Sequence, residues 1–541
     1  MPSCLRSLTS LPLYTLGVLV AGSCAVRAQA PGGTAEHTST IKVQANLVVL
    51  DVVVTDAKGN TVPNLEQKDF TITQDGVPQT IRSFESWTSR PPLPDKPKLD
   101  RFGRPDWEGA SLNIFVLDEL NTPFDEISYA SAMLKKFLLS QPQLLASPSM
   151  LVVVTDFGYQ TLCDYTRDRD LIIAKLLSRP PAVPAQFTRT ASNDELTQRS
   201  FALLQQIALS SVGMREHKNI IWIGRGFPSV VPSDLKPTSQ DSLTKAIRST
   251  VTLLLNARVT VYKVDPEQFA TSTTEVDIAA SIDVGGGTVD APVGGEDPSV
   301  NNFNFNVFAV QTGGHYFYGL NDLDRYIGNS IDAGGHFYTL SYRPPANPPD
   351  TKDGTYRNIK IIMNKPGLTA QTRQGFYATT KPELPPTVKE LGFALGEAAT
   401  GGMYYTGVGV HVVGVAPATE PGRASITFKV ENRTLQWTAR SEDNLAAGDI
   451  AEFTAVLVGL NSKNEVISSD AYTVHPYLQA KDADKMATGE MTVRDDLSIS
   501  SRTTALRVIV RDSSGRIGTG DVSAADVQAV LATALQHRGK R

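Results

Sequence analysis

The sequence predicts an α/β domain built on a parallel sheet, set between two β segments and followed by a C-terminal β-rich domain. Three observations predict it. In Ser111–Asp118 a short apolar run (Leu112, Ile114, Phe115, Val116, Leu117) stops at an acid, and a helical pattern follows. A strand buried on both faces of a parallel sheet reads this way. Between residues 110 and 335, apolar runs alternate with amphipathic stretches, as in βαβ units. On either side of that window, apolar residues recur in steps of two between Gly, Pro, Asn and Asp turns, the period of half-buried strands.

At 541 residues, several domains are expected, at roughly 100–200 residues each. The formal net charge of −5 offers no whole-chain argument for nucleic acid, and none is expected as a partner. Residues 1–30 read as a signal peptide. Arg6 supplies the positive region, Leu11–Val20 is apolar but too short to span a bilayer, and Ala28-Gln29-Ala30 is a small-x-small cleavage site. The expected location is secreted or periplasmic, with envelope association. Tethering as a lipoprotein through Cys24 is the alternative. No later run is long and apolar enough for a transmembrane helix. Once Cys4 and Cys24 are removed, Cys163 stands alone, so no internal disulfide is expected. Cys163 then reads as a small buried hydrophobe.

In chain order, 41–87 is a β segment. Leu47–Asp56 is rich in β-branched residues, and Phe70–Gln74 stops at Asp75-Gly76, a two-residue hairpin signal. One or two hairpins are not stable alone. This segment is therefore expected to pair with 336–379, which carries HFYTLSYRP and RNIKIIMNK, as one discontinuous β-sandwich. Residues 88–109 are Pro-rich and read as a linker. Within 110–335 the expected strands are Ser111–Asp118, Met150–Thr155, Lys218–Ile223, Arg258–Val264 and His315–Tyr318. The expected helices are Ile127–Ser140, Asp168–Leu177, Asn193–Ser210, Ser239–Asn256 and Leu320–Asp332. Thr271–Val300, with its glycines and acids, reads as a mobile insertion and the first site of proteolysis. Residues 385–541 hold a run of strands at sandwich spacing and a terminal helix at Ala524–His537.

Ligands of open α/β sheets bind at the carboxyl ends of the strands. There the sequence gathers Asp118, Glu119, Asn121 and Thr122, oxygen-bearing groups of the kind hard cations prefer. The plainer reading is that Asn121 or Thr122 caps the helix starting near Pro123. Asp156 follows the second strand and reads either as a further ligand or as a turn residue before Gly158. No His-x-x-x-His or His-Glu-x-x-His spacing occurs, and no Gly-x-Ser-x-Gly elbow.

Taken in order, LVVLDVVVTDAKGN, DFTITQDGVPQTIRSF, NIFVLDELNTPFDEISYA, KNIIWIGRGFP, TGGHYFYGLNDLDRYI, HFYTLSYRPPANPPDTKDGTYRNIKI and RQGFYA form an ordered series over Ile41–Ala378. The series resembles the VWFA-related domain family of acidobacteria. The resemblance implies an exported protein with a von Willebrand factor A-like, Rossmann-like domain between β-sandwich segments. The C-terminal part shows only a sandwich-like pattern. True A domains hold a divalent cation through Asp-x-Ser-x-Ser, a Thr from another loop and an Asp after a later strand. Here Asp118 matches the first Asp and Thr122 the second Ser. Leu120 replaces the first Ser, Arg225 stands where the later Asp belongs, and the loop Thr is Thr188 or Thr190. The metal-dependent adhesion site is thus degenerate. The resulting expectation is an Asp118–Arg225 pair with no cofactor. The competing one is a weakly held Mg²⁺ or Mn²⁺ on Asp118, Thr122 and Asp156.

The sequence reading is a non-enzymatic binding protein, mediating protein–protein interaction or adhesion through the face carrying Asp118, Glu119, Asn121, Thr122 and Arg225. Fold does not name the protein ligand. The alternatives are a structural envelope protein without a ligand site and a hydrolase using Asp118, Glu119 and Asp156.

Overall fold

The computed structural model describes residues 47–90, 92–99, 105–107, 109–155, 158–179, 193–227, 236–267, 303–317, 322–347, 351–378, 388–440, 448–482 and 484–534. The signal segment with Cys24, Asp156, Thr188, Thr190 and the insertion 271–300 lie outside the described residues.

Val48–Thr55 begins the first unit. It pairs antiparallel with Phe337–Tyr342 on one side and with Thr369–Gln371 on the other. With Ile81–Glu85 these strands form one four-stranded sheet; Gly375–Ala378, Thr355–Met363, Phe70–Gln74 and Val77–Gln79 form a second. Both flanks of the chain therefore supply strands to both sheets. Alternate residues from each, including Leu50, Val52, Ile72, Tyr338, Leu340 and Ile359, share one apolar core. The Asp75-Gly76 hairpin has φ of 51° and 79° at its two central residues. Such a turn matches the twist of the strands it joins, and Asp and Gly tolerate it best.

The central sheet has six strands, in the order Tyr316–Phe317, Val259–Val264, His217–Ile223, Ser111–Asp118, Leu144–Thr155 and Gly158–Asp168. The first five run parallel. The sixth departs from the expected all-parallel sheet: it turns straight back from Thr155 and runs antiparallel along the edge. Its half-buried alternation carries the buried Cys163. Ser111–Asp118 is buried along its whole length. Ile114 and Val116 enter the core on one face, with the helices Asn193–Ser211 and Pro237–Asn256. Phe115 and Leu117 enter the core on the other, with Phe124–Ser140 and Leu323–Gly335. Among the described residues no helix is long and apolar enough to cross a membrane.

Within the expected linker, Lys98–Leu99 pairs with Pro105–Asp106, and Trp107 packs on Ala110 and Leu112. Beyond it, the C-terminal region is joined to the α/β unit by a shared core. Phe453–Leu460 and Ala505–Asp512 are central strands of a four-stranded sheet. Ala455, Leu457, Val508 and Val510 face the C-terminal core, while Val456, Val458 and Ile509 face the same core as Ile114 and Trp222. Ala398 and Ala399, at the end of the helix Val388–Thr400, fill that junction.

Candidate functional site

Chain order around the central sheet reverses between Ser111–Asp118 and His217–Ile223, which are direct neighbours. The crevice outside such a switch point is where open α/β sheets bind ligands. Asp118 ends one of these strands, and the turn Gly224-Arg225-Gly226 follows the other.

Asp118 is fully buried. It shares strand parity with Ile114 and Val116, and Trp222 is the register partner of Val116, so Asp118 and Trp222 face the same core. Its carboxylate meets only N–H donors. Oδ1 accepts from the backbone of Leu120 at 3.1 Å and of Asn121 at 3.0 Å. Oδ2 accepts from Trp222 Nε1 at 3.1 Å and from the Gly226 backbone at 2.9 Å. Asn121 Nδ2 donates to both oxygens at 3.2 Å. Burial pushes the Asp118 carboxyl above its usual range, and the bonds from Asn121, Trp222 and Gly226 pull against that shift.

The expected Asp118–Arg225 pair does not form. The Arg225 backbone N–H donates to Thr122 Oγ1 at 3.0 Å. Its side chain turns outward, where Nε meets Glu126 Oε2 at 2.7 Å and Nη2 meets Glu126 Oε1. Glu267 Oε1 lies 3.3 Å from Nη2. The physical reason is desolvation. A guanidinium at Asp118 would have to enter a dry core, whereas Glu126 and Glu267 receive it at a half-exposed rim. The turn's own N–H groups reach Asp118 and Thr122 instead. Gly224, at φ 150°, makes this close approach possible; a Cβ there would sit 2.5 Å from Asp118 Cβ and from Thr122 Oγ1.

Neither Asn121 nor Thr122 caps the following helix. Its N-cap is Pro123, with no side-chain cap bond. The Asn121 amide donates to Asp118 and to Ser200 Oγ, at 3.0 Å, while its Oδ1 is buried with no hydrogen-bond partner among the described residues. Glu119 pairs with Arg179 at 2.7 Å, and burial pushes its carboxyl upward, against Arg179. Leu120 is buried in the core. Among the described residues, which leave out Asp156, Thr188 and Thr190, most oxygens of the donor set are already used, while Asn121 Oδ1 and Glu119 Oε2 are buried without a hydrogen-bond partner. Both Asp118 oxygens are occupied by N–H groups, Thr122 Oγ1 accepts from a backbone N–H, and Leu120 brings no oxygen. An oxygen-seeking cation would have to compete with these bonds for Asp118 and Thr122.

Solved structures similar to this chain include von Willebrand A domains. The SpRpn10 VWA domain is 14% identical, over 33% of this chain and 85% of that one, at a TM-score of 0.20. Manganese-loaded Plasmodium vivax TRAP protein is 10% identical, over 57% of this chain and 100% of that one, at 0.23. Human COPII-coat protein Sec24c is 10% identical, over 50% of this chain and 44% of that one, at 0.23. Similarity at this level carries no argument about function. No family model matches the chain, and no curated relative does.

A second polar cluster, which the sequence reading passed over, lies at the opposite edge of the same sheet. Asp51, from the first flank strand, meets His217 Nδ1 at 2.7 Å, Arg258 Nη2 at 2.7 Å and Thr339 Oγ1 at 2.8 Å. His217 Nε2 lies 2.9 Å from Asn219 Oδ1. Asn219 Nδ2 donates to Ser111 Oγ at 2.8 Å and to the Gly334 carbonyl at 3.1 Å. Burial acts to raise the Asp51 carboxyl, but His217 and Arg258 overcome it and hold it far below the usual range. A lone acid inside LVVLDVVVTD was the available signal, since a charge in a buried strand requires a partner. Next to His217, Lys218 is fully buried. Its Nζ donates to the carbonyls of Met214 at 2.9 Å and Ser211 at 3.3 Å, and burial pushes the ammonium down to about 7.

Proposed function

We propose that this chain is an exported, non-enzymatic binding protein. Its α/β unit meets a protein partner at the carboxyl edge of the central sheet, without a metal ion. The carrying observation is that Asp118 and Thr122 are satisfied by the chain's own N–H groups. The half-exposed Arg225, braced by Glu126 and Glu267, is left as the charged feature of that edge. With Glu126 holding Nε and Nη2 and Glu267 beside Nη2, the Arg225 guanidinium keeps Nη1 to donate to a partner's acceptor. Export rests on the signal-like residues 1–30. The non-enzymatic reading is supported by Asp118 and Glu119, each already tied to protein donors. The sealed switch-point crevice favours a second reading, a structural envelope protein that uses no ligand site.

Photo-crosslinking from a probe placed at position 125, beside Glu126, separates these readings. One partner polypeptide should be captured in the cell envelope, in EDTA as in Mg²⁺, and Arg225→Ala should lose it. Capture that vanishes in EDTA would restore a metal-dependent mechanism. Absence of any crosslink would favour the structural reading.

A further inference from the structure

A cleft of about 460 Å³ opens between the end of the helix Val388–Thr400 and the C-terminal sheet. This volume lies within the range of small-molecule sites, roughly 300–1,000 Å³. Its polar and aromatic lining is Thr400, Tyr404, Asn464, Arg507, Asp521 and Ser523. Arg507 is 6% exposed and grips Asp521 with two parallel bonds, Nε to Oδ1 at 2.6 Å and Nη2 to Oδ2 at 2.8 Å. Its Nη1 donates to the Ala398 carbonyl at 2.9 Å. Tyr404 stands over this pair, with the guanidinium carbon 5.8 Å from the ring centroid, and is 38% exposed. Asn464, at φ 58° on the tip of the turn after Phe453–Leu460, uses its backbone N–H within the turn. Its amide side chain is exposed and makes no hydrogen bond among the described residues.

The chemistry of the lining narrows the occupant. Arg507 and Asp521 neutralise each other, so a charged ligand would have to break a largely buried bidentate pair. The Thr400 and Ser523 hydroxyls already bond to the Gly396 carbonyl and to Asp526, but a purely apolar ligand would strip water from Asp521 and Asn464 and replace it with nothing. A neutral molecule with both hydroxyls and C–H faces suits Asp521, Asn464 and the Tyr404 ring. The carboxylate of Asp521, which also meets the Tyr404 hydroxyl, keeps acceptor capacity beyond what Arg507 and Tyr404 use, the Asn464 amide both donates and accepts, and the Tyr404 ring offers an apolar face. We infer that this cleft is a binding site for a neutral carbohydrate, with Tyr404 as its stacking platform and Asp521 and Asn464 as its hydroxyl-reading groups.

Full-length mature protein is titrated calorimetrically with maltose, cellobiose and chitobiose, with inorganic phosphate as the charged control. At least one disaccharide should bind saturably. Tyr404→Ala should weaken that binding about tenfold and Asn464→Gly about threefold. Asn464 is exposed and Gly keeps the left-handed backbone there, so that variant should melt at the wild-type temperature, whereas Tyr404→Ala also loses its contacts with Arg507 and Asp521 and should melt somewhat lower. If Tyr404→Ala unfolds the protein, Asn464→Gly alone carries the test. Three results would each overturn the assignment: no saturation by any of the three sugars, sugar binding unchanged by both variants, or phosphate bound more tightly than sugar.

Discussion

Asp118 and Asp51 are two buried carboxylates at opposite edges of one sheet, and the chain resolves them in opposite ways. At the carboxyl edge Asp118 is surrounded by neutral N–H donors, three of them backbone, and its pKa is raised. At the amino edge Asp51 is met by Arg258 and His217, and its pKa is held far down. Dipoles pin a loop without adding charge and so act within one domain. Ion pairs tie separate elements together, here a strand of the flank unit to the α/β sheet. The consequence is different at each end: Asp118 organises the edge where ligands of such sheets bind, and Asp51 holds the frame.

The largest effect is expected at the frame. Asp51→Ala leaves the buried His217 and the partly exposed Arg258 without their acid and should cost about 3 kcal/mol of stability, read from urea unfolding. Equal stability of mutant and wild type would show that the ionic tether is idle. The same pair sets a pH signature. The folded carboxyl of Asp51 lies below its unfolded value, so its contribution is complete above the ordinary carboxylate pKa of about 4 and is lost as pH falls below it. Asp118 has the opposite sign, because its raised folded pKa gives a contribution present in acid and lost as pH rises. Asp51→Asn should therefore flatten the acid limb of stability, and Asp118→Asn should not.

Asp118→Asn tests the dipole mechanism directly. It turns one acceptor into a donor that faces Trp222 Nε1 or the Gly226 backbone, and should cost about 2–3 kcal/mol. Trp222 fluorescence should shift as its indole loses its acceptor. Gly226→Ala is milder. With φ at 70° and Phe305 Cγ 2.4 Å from the added Cβ, Phe305 must move, at about 1–3 kcal/mol. An unchanged melting temperature would show the turn to be loose.

The last effect, a slope rather than a loss, concerns Lys218. Its folded pKa near 7 lies below the unfolded value of about 10.4. Between these values the unfolded chain binds more protons, so this group makes stability rise with pH. Lys218→Met should remove that rise between about pH 7 and 9, below the range where exposed tyrosines ionise. A slope identical to wild type would mean that Nζ stays charged against the Ser211 and Met214 carbonyls.

Much of this organisation was legible in the residues. The strand ending at Asp118 was readable from the apolar run that stops there, and the Asp75-Gly76 turn from its dipeptide. The helix expected at Ile127–Ser140 starts one turn earlier, at Phe124, because Pro123 sets the entry and no side-chain cap marks it. The hairpin return Gly158–Asp168 was missed because its half-buried alternation is weak and its polar residues resemble a loop.

Sequence by itself determined local periods and the polar character of the strand ends, because burial on one face or two writes itself into residue order. Which donors would reach Asp118 was decided only by the tertiary structure. Trp222 and Gly226 arrive from a strand more than a hundred residues away, and Arg225 could be assigned to Asp118 or to Glu126 by position alone. The choice fell to desolvation: a backbone N–H can enter a dry crevice at little cost, while a guanidinium remains where water and two glutamates can hold it.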